Sequence, residues 1–120
     1  MKVLLIDDNE VLNCLLTKYL RKHGHKVENV FTGTEGVKRA LSTRFDVIIT
    51  DYRLPDISGV DILQLVKKIN NTKIMISAYY TKNIIMQSLE LGATVVEKPF
   101  SNKEILKLVN NQHDLAVGCN

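Results

Sequence analysis

The 120-residue sequence has only two cysteines, two prolines and six glycines, and each shortage excludes a class of protein. Two cysteines without metal-site spacing provide neither a zinc site nor a disulfide framework, so a reducing, cytoplasmic setting is expected. Low glycine and proline content, together with 24% charged residues, excludes collagen-like and low-complexity chains. Cys14, which falls within a helical pattern, is predicted to be a small core residue.

Runs of like charge and long apolar stretches are also missing. The net charge of +3 comes from lysine and arginine residues scattered along the chain, without the run of like charges that marks a nucleic-acid-binding arm. The apolar segment at residues 3–6 is too short for the core of a signal peptide or for a membrane span. We therefore predict no nucleic-acid binding by this domain itself and no membrane association.

The apolar residues that are present suffice for one packed core. They make up 45% of a chain that has the length of one ordinary domain, which leaves no room for a second folded domain. No internal repeat, linker or low-complexity segment divides the chain. We predict a single domain over residues 1–120.

Short β-rich segments recur along the chain. Residues 3–6, 46–50 and 73–76 show almost no polar alternation, which is typical of strands covered on both faces. Residues 27–31 and 94–97 are weaker strand candidates of similar length, each preceded by a connection that contains glycine. The pattern therefore predicts five strands in a parallel sheet.

Segments with helical spacing separate these strands. The first helix is expected to end near Gly24, because glycine commonly follows a helix C-terminus. Later helices are expected to begin near Thr32, Ser58, Thr81 and Ser101, three of which have an acidic residue three positions later, as in a capping box. The predicted apolar stripe of the first helix comprises Leu12, Leu15, Leu16, Tyr19 and Leu20.

This alternation predicts the fold class. Strands and helices joined by short connections form right-handed crossovers, with helices on both faces of the sheet. We therefore expect an α/β fold with a doubly wound, five-stranded parallel sheet and five helices. Ligands of such folds bind outside the carboxyl ends of the strands.

Chemically reactive side chains occur at the predicted strand ends. Asp7 and Asp8 come at the end of the first strand, Asp51 at the end of the third, Ser77 at the end of the fourth and Lys98 at the end of the fifth. Three carboxylates at one sheet edge repel one another and raise one another's pKa unless a cation is present. Mg²⁺ prefers oxygen ligands and takes one or two protein carboxylates directly, so it suits this cluster better than zinc does.

Asp51 is the candidate nucleophile. A carboxylate can attack phosphorus directly, and catalysis then depends mainly on positioning and charge neutralisation. In this hypothesis Lys98 supplies a positive charge and the Ser77 hydroxyl donates to a phosphoryl oxygen. The alternative for Ser77 is that a serine at a strand end only satisfies the backbone of its own loop. An isolated Asp-Asp pair is usually a solvated turn, and an isolated lysine is usually a surface charge. The Asp-Asp pair, Asp51 and Lys98 are expected at the same edge of the sheet, and this favours a functional site over these separate roles.

Four motifs in this order resemble the receiver domains of response regulators. They are IDD at residues 6–8, DYRLPDISG at 51–59, SA at 77–78 and KPF at 98–100. The resemblance covers essentially the whole chain. It implies the flavodoxin-like, chemotaxis-protein-like fold and a phosphoacceptor role for the aspartate that opens the second motif.

The resemblance also implies a ligand set for the metal. Asp8 and Asp51 are expected to bind Mg²⁺ directly, Asp7 largely through water, and Arg53 through its backbone carbonyl rather than its side chain. Mn²⁺ is a possible substitute. A cis peptide bond before Pro99 is implied as well, which would direct the preceding lysine into the site.

The signalling role follows from the same resemblance. A histidine kinase or a histidine phosphotransfer protein is expected to donate the phosphoryl group, and a conformational change passes the signal to a downstream protein or output domain. Only self-phosphorylation and self-dephosphorylation are expected, so the chain is predicted not to be an enzyme. Receivers commonly carry an aromatic residue where this chain has Val95, so the switch is expected to differ; Tyr79 and Tyr80 either replace that ring in part or are exposed loop residues.

Three other functions fit the sequence less well. A Mg²⁺-dependent phosphatase with an aspartate nucleophile would carry its second aspartate two residues after the first on the first strand, whereas Asp7 and Asp8 are adjacent. A nucleotide-binding domain would carry a glycine-rich phosphate-binding motif, and neither common form occurs. A receiver-like module that only binds proteins would more often have lost an acidic or lysine position, and all of these positions are retained.

Overall fold

The computed structural model describes the backbone of residues 1–118 and the side chains of residues 1–111. Over this part of the chain, five strands alternate with five helices, as the sequence predicts. None of these helices is long and apolar enough to span a membrane. Their bounds are β1 Lys2–Ile6, α1 Glu10–Lys22, β2 Lys26–Val30, α2 Gly33–Ser42, β3 Val47–Asp51, α3 Gly59–Leu65, β4 Thr72–Ser77, α4 Lys82–Glu90, β5 Ala93–Glu97 and α5 Asn102–Gly118.

The strands form one parallel sheet with the order β2-β1-β3-β4-β5. Ile6, the last residue of β1, is aligned with Val30 of β2 on one side and with Thr50 of β3 on the other. The chain therefore passes from β2 across β1 to reach β3. The direction of strand order reverses between β1 and β3, and ligands of doubly wound sheets bind at such a point.

Alternate residues of β1 belong to different cores. Val3 and Leu5 pack in a cluster with residues of α1 and α5, whereas Leu4 and Ile6 pack in a cluster with residues of α2 and α3. All four side chains are almost completely buried. A β-strand directs successive side chains to opposite faces, so this division places helices on both faces of the sheet and confirms the predicted architecture.

The predicted helix starts are confirmed by their caps. The side chains of Thr32, Ser58 and Thr81 each accept a hydrogen bond from the backbone N–H three residues later. Ser101 accepts in the same way before α5. The cap of α1 was not predicted: Asn9 accepts from the third following N–H there, which satisfies one of the free donors at the helix start.

The predicted buried face of α1 is partly wrong. Leu12 and Leu15 are 41% and 54% exposed, and Cys14, expected in the core, is also exposed. The sheet instead faces Asn13 and Thr17, which are buried together with the later leucines of the helix. The helix is turned so that the amide of Asn13 can bond to carbonyl groups at the strand ends, and no apolar side chain could satisfy those groups.

Candidate functional site

Three carboxylates meet at the carboxyl ends of β1 and β3. Asp7 and Asp8 directly follow β1, and Asp51 is the last residue of β3, the adjacent strand. One carboxylate oxygen from each of the three lies within 4.8 Å of those from the other two. Asp7 and Asp51 are buried, at 4% and 6% exposure, whereas Asp8 is exposed. The cluster therefore has a buried floor and one side open to solvent.

The charges of this cluster oppose one another. Burial raises the pKa of the Asp7 carboxyl above its ordinary value, and the negative charges of Asp51 and Asp8 add to the rise. The backbone N–H of Asn9, which donates to Asp7 Oδ1 at 3.0 Å, and the positive charge of Lys98 act in the opposite direction. A cation among the three carboxylates would relieve the repulsion. The cluster offers oxygen ligands alone, which is the donor set that Mg²⁺ prefers.

Lys98 brings a positive charge to the cluster from β5. Its Nζ donates to Asp51 Oδ2 at 2.9 Å, in an ion pair with little solvent exposure. The backbone N–H of Lys98 donates to the carbonyl of Ser77 at 2.9 Å, which extends the pairing of β4 and β5 by one residue. The Lys98–Pro99 peptide bond is cis, as the motif resemblance implies.

Ser77 lies at the end of β4 and is fully buried. Its hydroxyl donates to the carbonyl of Tyr79 at 3.1 Å and accepts from the Tyr79 N–H at 2.8 Å, so both bonds lie within its own loop. The ring of Tyr79 lies against Tyr52, with centroids 6.1 Å apart, and its hydroxyl accepts from the guanidinium of Arg53. The Arg53 side chain is thus bound to Tyr79.

A cleft of about 490 Å³ opens over the cluster. Asp8, Asp51 and Lys98 form part of its wall, and Arg53 and Tyr79 lie on the wall as well. Charged groups of both signs therefore face a space that is open to solvent and large enough for a phosphoryl group.

The start of α3 lies directly against Asp51. The backbone N–H of Gly59 donates to the carbonyl of Tyr52 at 2.7 Å. A Cβ atom at Gly59 would lie 2.5 Å from the carbonyl oxygen of Asp51 and 2.6 Å from the Sδ atom of Met75. Only glycine allows this close approach, which explains why the DYRLPDISG motif ends in glycine.

Asp56 ties the loop between β3 and α3 to α2. Its carboxylate accepts from the backbone N–H groups of Gly33 and Thr34 at 2.9 Å and 2.7 Å, and from the Thr34 hydroxyl. The pKa of Asp56 is lowered well below its usual range, chiefly by the bond from that hydroxyl. Since Arg53 belongs to the same loop, this tether helps to fix the backbone next to the carboxylates.

Comparison with known proteins decides the family. The family model described as the response regulator receiver domain matches residues 3–110. The chain belongs to this receiver domain family. One curated relative is the transcriptional regulatory protein CusR of Escherichia coli K12, which is 33% identical over 112 residues. Another is sporulation initiation phosphotransferase F of Bacillus subtilis, which is 32% identical over 107 residues.

The two relatives differ in how much of their length this receiver domain covers. The alignment with CusR takes in 91% of the chain but only 49% of CusR, so the chain spans about half the length of that relative. The alignment with sporulation initiation phosphotransferase F takes in 87% of the chain and 86% of that protein.

Solved structures of receiver domains have the same fold. The receiver domain of Francisella response regulator 1452 superimposes with a TM-score of 0.89 at 26% identity, covering 96% of this chain and 98% of that one. The response regulator TrrA of Thermotoga maritima, solved in complex with Mg²⁺ and BeF, gives a TM-score of 0.81 at 26% identity, covering 92% and 96%.

The site residues predicted for this receiver domain are only partly brought together. Asp7, Asp8, Asp51 and Lys98 meet at one edge of the sheet, whereas the Ser77 hydroxyl is bonded within its own loop. Sequence reasoning missed the residues that hold this geometry, which are Asn9, Asn13, Asp56 and Gly59. A capping signal could have revealed Asn9, since an asparagine stands immediately before a helical segment. No sequence signal distinguishes a buried Asn13 from an exposed one.

Proposed function

We propose that this receiver domain accepts a phosphoryl group on Asp51 in a Mg²⁺-dependent reaction. The observation that carries the proposal is the meeting of three carboxylates and Lys98 where the strand order reverses. Asp51 is the member of the cluster that is both on the cleft wall and paired with a cation. Family membership supports the same function.

Four groups are proposed to hold the metal. Asp8 and Asp51 bind it through carboxylate oxygens, Arg53 through its backbone carbonyl, and Asp7 through a water molecule. The all-oxygen donor set and the raised pKa of Asp7 support this assignment, as does the Mg²⁺ complex of TrrA. Mn²⁺ is a possible substitute because it also accepts oxygen ligands. A metal held by these groups would supply positive charge that offsets the charge on the phosphoryl oxygens.

The chain's own groups perform the transfer. An Asp51 oxygen attacks phosphorus in line; the new O–P bond forms as the bond between phosphorus and the donor's imidazole nitrogen breaks, and that nitrogen keeps the electron pair and takes up a proton from water. The Lys98 ammonium, already 2.9 Å from Asp51, stabilises negative charge on the phosphoryl group. The Ser77 hydroxyl exchanges the Tyr79 carbonyl for a phosphoryl oxygen.

The exposed apolar residues of α1 provide a surface for the phosphodonor. Val11, Leu12 and Leu15 are 68%, 41% and 54% exposed, although apolar side chains usually pack inside. Leu12 also lines a largely apolar depression with Pro99 and Phe100, next to the site. We assign this surface to docking of a histidine kinase or histidine phosphotransfer protein, whose phosphohistidine must reach Asp51.

Phosphorylation is proposed to change the population of two conformations and so to signal to a downstream protein or output domain. Moving a two-state equilibrium from 1:99 to 99:1 takes roughly 5.5 kcal/mol, and new bonds from the phosphoryl group to Ser77, Lys98 and backbone would contribute toward it. Val95 is half-buried and packs beside Met75 and Leu63. Because valine has no aromatic ring, rotation of a ring at that position is not available to the switch.

The chain is proposed to act as a cytoplasmic signalling phosphoacceptor rather than as an enzyme. Its expected reactions are self-phosphorylation from small phosphodonors and self-dephosphorylation. We assign the whole of residues 1–120 to one receiver unit, of which residues 119–120 lie outside the described part of the structure.

Intact-mass measurement after incubation with acetyl phosphate and Mg²⁺ tests this function. Wild type should gain a single phosphoryl group, and Asp51→Asn, which keeps the size of the side chain, should gain none. Addition of EDTA should prevent the gain in wild type. An adduct that is indifferent to Asp51 would move the acceptor to another residue, and no adduct in any sample would favour a module that only binds proteins.

A further inference from the structure

A buried amide joins the acidic loop to two strands. The side chain of Asn13, on the first turns of α1, is only 1% exposed. Its Nδ2 donates one hydrogen bond to the backbone carbonyl of Asp7 at 2.8 Å and another to that of Val30 at 2.9 Å. Both amide hydrogens are thus used to hold the end of β1 beside the end of β2.

The other end of the same amide is also fully bonded. Oδ1 of Asn13 accepts from Asn29 Nδ2 at 2.9 Å and from Thr17 Oγ1 at 3.3 Å. Asn29 lies on β2, and Thr17 lies one turn further along α1 and is buried. The side chain makes all four hydrogen bonds available to an amide, and a fully satisfied buried network restricts movement of the groups that it joins.

The restricted movement matters because the carboxylates of Asp7, Asp8 and Asp51 repel one another. Three carboxylates lie within reach of a common ion, and the single positive charge of Lys98 leaves a net repulsion that favours opening of the loop that carries Asp7 and Asp8. The Asp7 side chain accepts from the Asn9 N–H, and its backbone N–H donates to the Val30 carbonyl at 3.2 Å, but its backbone carbonyl is held by Asn13. Loss of the amide would also leave the buried Asp7 carbonyl without its side-chain donor. The loop could then move so that water donates to this carbonyl.

We propose that Asn13 is a positioning residue that keeps the Asp7–Asp8 loop in metal-binding geometry. This role rests on the proposed Mg²⁺ site, although Asn13 contacts neither the metal nor the phosphoryl group. A preformed loop lowers the cost of gathering three like charges around an ion, because the ordering is already complete before the ion binds.

Calorimetric titration with Mg²⁺ alone, well below the unfolding temperature, tests the role. Asn13→Ala should bind Mg²⁺ about tenfold more weakly than wild type. The matched controls are Thr17→Val and Asn29→Ala, each of which removes one bond of the same buried network but leaves both donors to Asp7 and Val30 in place. Their Mg²⁺ affinity should equal that of wild type, even where their unfolding temperature falls.

An unchanged Mg²⁺ affinity in Asn13→Ala would overturn the proposal, as would equal weakening in Thr17→Val, since a general loss of packing would then explain the effect. If circular dichroism shows that Asn13→Ala does not fold, Asn13→Ser, which retains one donor, takes its place under the same criterion. Wild type that binds Mg²⁺ but gains no phosphoryl group would refute only the assignment of Asp51. Wild type that binds no Mg²⁺ would refute both.

Discussion

The β1–β3 half of the site and the β4–β5 half are held by different kinds of bond. The first carries the three carboxylates, and its backbone is fixed by the buried amide of Asn13 and by the bond from the Asp7 N–H to the Val30 carbonyl. The second carries Ser77 and Lys98, whose side chains bond to Tyr79 and Asp51, and a phosphoryl group would compete for those bonds.

This difference separates two tasks. In the proposed function, the half that would hold the metal is arranged in advance, so binding of an ion would require little reordering. The other half would exchange partners on phosphorylation of Asp51, which is the property that a two-state switch requires. Substitutions in the two halves should therefore affect different measurements.

Removal of Lys98 should have the largest effect and break the link between the halves. Lys98→Ala should slow phosphoryl transfer from acetyl phosphate about 100-fold, because the cation that faces the phosphoryl oxygens is lost. Mg²⁺ affinity should not fall, since Asp51 loses a competing partner. Rapid-quench mass spectrometry gives the rate. Lys98→Arg, which keeps the charge, should be intermediate, and a rate for Lys98→Ala close to that of wild type would contradict the assigned role.

Replacement of Gly59 tests how tightly the first half is packed. Gly59→Ala should destabilise the fold by about 2 kcal/mol, because the new methyl group meets the Asp51 carbonyl and Met75. Urea unfolding measures the loss. Gly24→Ala is the control. Gly24 has a positive φ of 93° and nothing within 4 Å of an added Cβ, so the new methyl group meets no atom. The free energy of unfolding should fall by about 1 kcal/mol from backbone strain alone. Equal losses in the two variants would show that the contact at Gly59 is relieved.

Loss of the Tyr79 ring removes a contact between the halves, since Arg53 and Tyr52 follow β3, but the Asp56 tether should keep the Arg53 backbone in place. Tyr79→Ala removes the contacts with Arg53 and Tyr52, and should lower stability by about 1 kcal/mol while leaving Mg²⁺ affinity unchanged. Thermal unfolding and Mg²⁺ titration of the same samples provide both values. Tyr80→Ala, at the 46% exposed neighbouring position, is the matched control. A fall in Mg²⁺ affinity in Tyr79→Ala would show that the halves are not independent.

The Asp56 tether should give the smallest effect and a distinct pH dependence. The pKa of Asp56 is lowered in the folded chain, so its carboxylate stabilises the fold above the ordinary aspartate pKa of about 4, and this contribution is lost as pH falls below that value. Asp56→Asn should cost less than about 1 kcal/mol at pH 7, because the group is exposed.

Urea unfolding of Asp56→Asn and wild type between pH 3 and pH 7 checks the sign of this effect. The difference in free energy of unfolding between the two proteins should shrink as pH falls below the pKa of an aspartate in the unfolded chain. Thr34→Val, which removes the hydroxyl donor but keeps the carboxylate, should show part of the same dependence. A difference that grows toward acid would contradict the direction of the pKa shift.

The sequence predicted the fold because its signals are local. Apolar runs with the length of strands and capping residues such as Ser58 depend on neighbours within a few positions, so both are visible in the chain itself. The meeting of Asp51 with the acidic pair followed from parallel strands ending at one edge of the sheet.

The buried face of α1 could not be predicted in the same way. Leucine spacing placed Leu12 and Leu15 inside, yet the helix turns Asn13 toward the sheet, where its amide bonds to the carbonyls of Asp7 and Val30 at two strand ends. Such a placement depends on partners that are remote in sequence. The sequence could not decide between a phosphoryl contact and loop bonds for Ser77 for a related reason, since a hydroxyl at a strand end has several acceptors within reach.

The position of β1 between β2 and β3 also bears on the order of folding events. β1 and β3 become neighbours only when a chain segment that contains α1, β2 and α2 has closed into a loop, which is an entropically unfavourable step. Asp51 is therefore apart from Asp7 and Asp8 until this loop has closed. Interactions absent from the transition state change the unfolding rate rather than the folding rate. A cation bound by the cluster should accordingly prolong the lifetime of the native chain without hastening its formation.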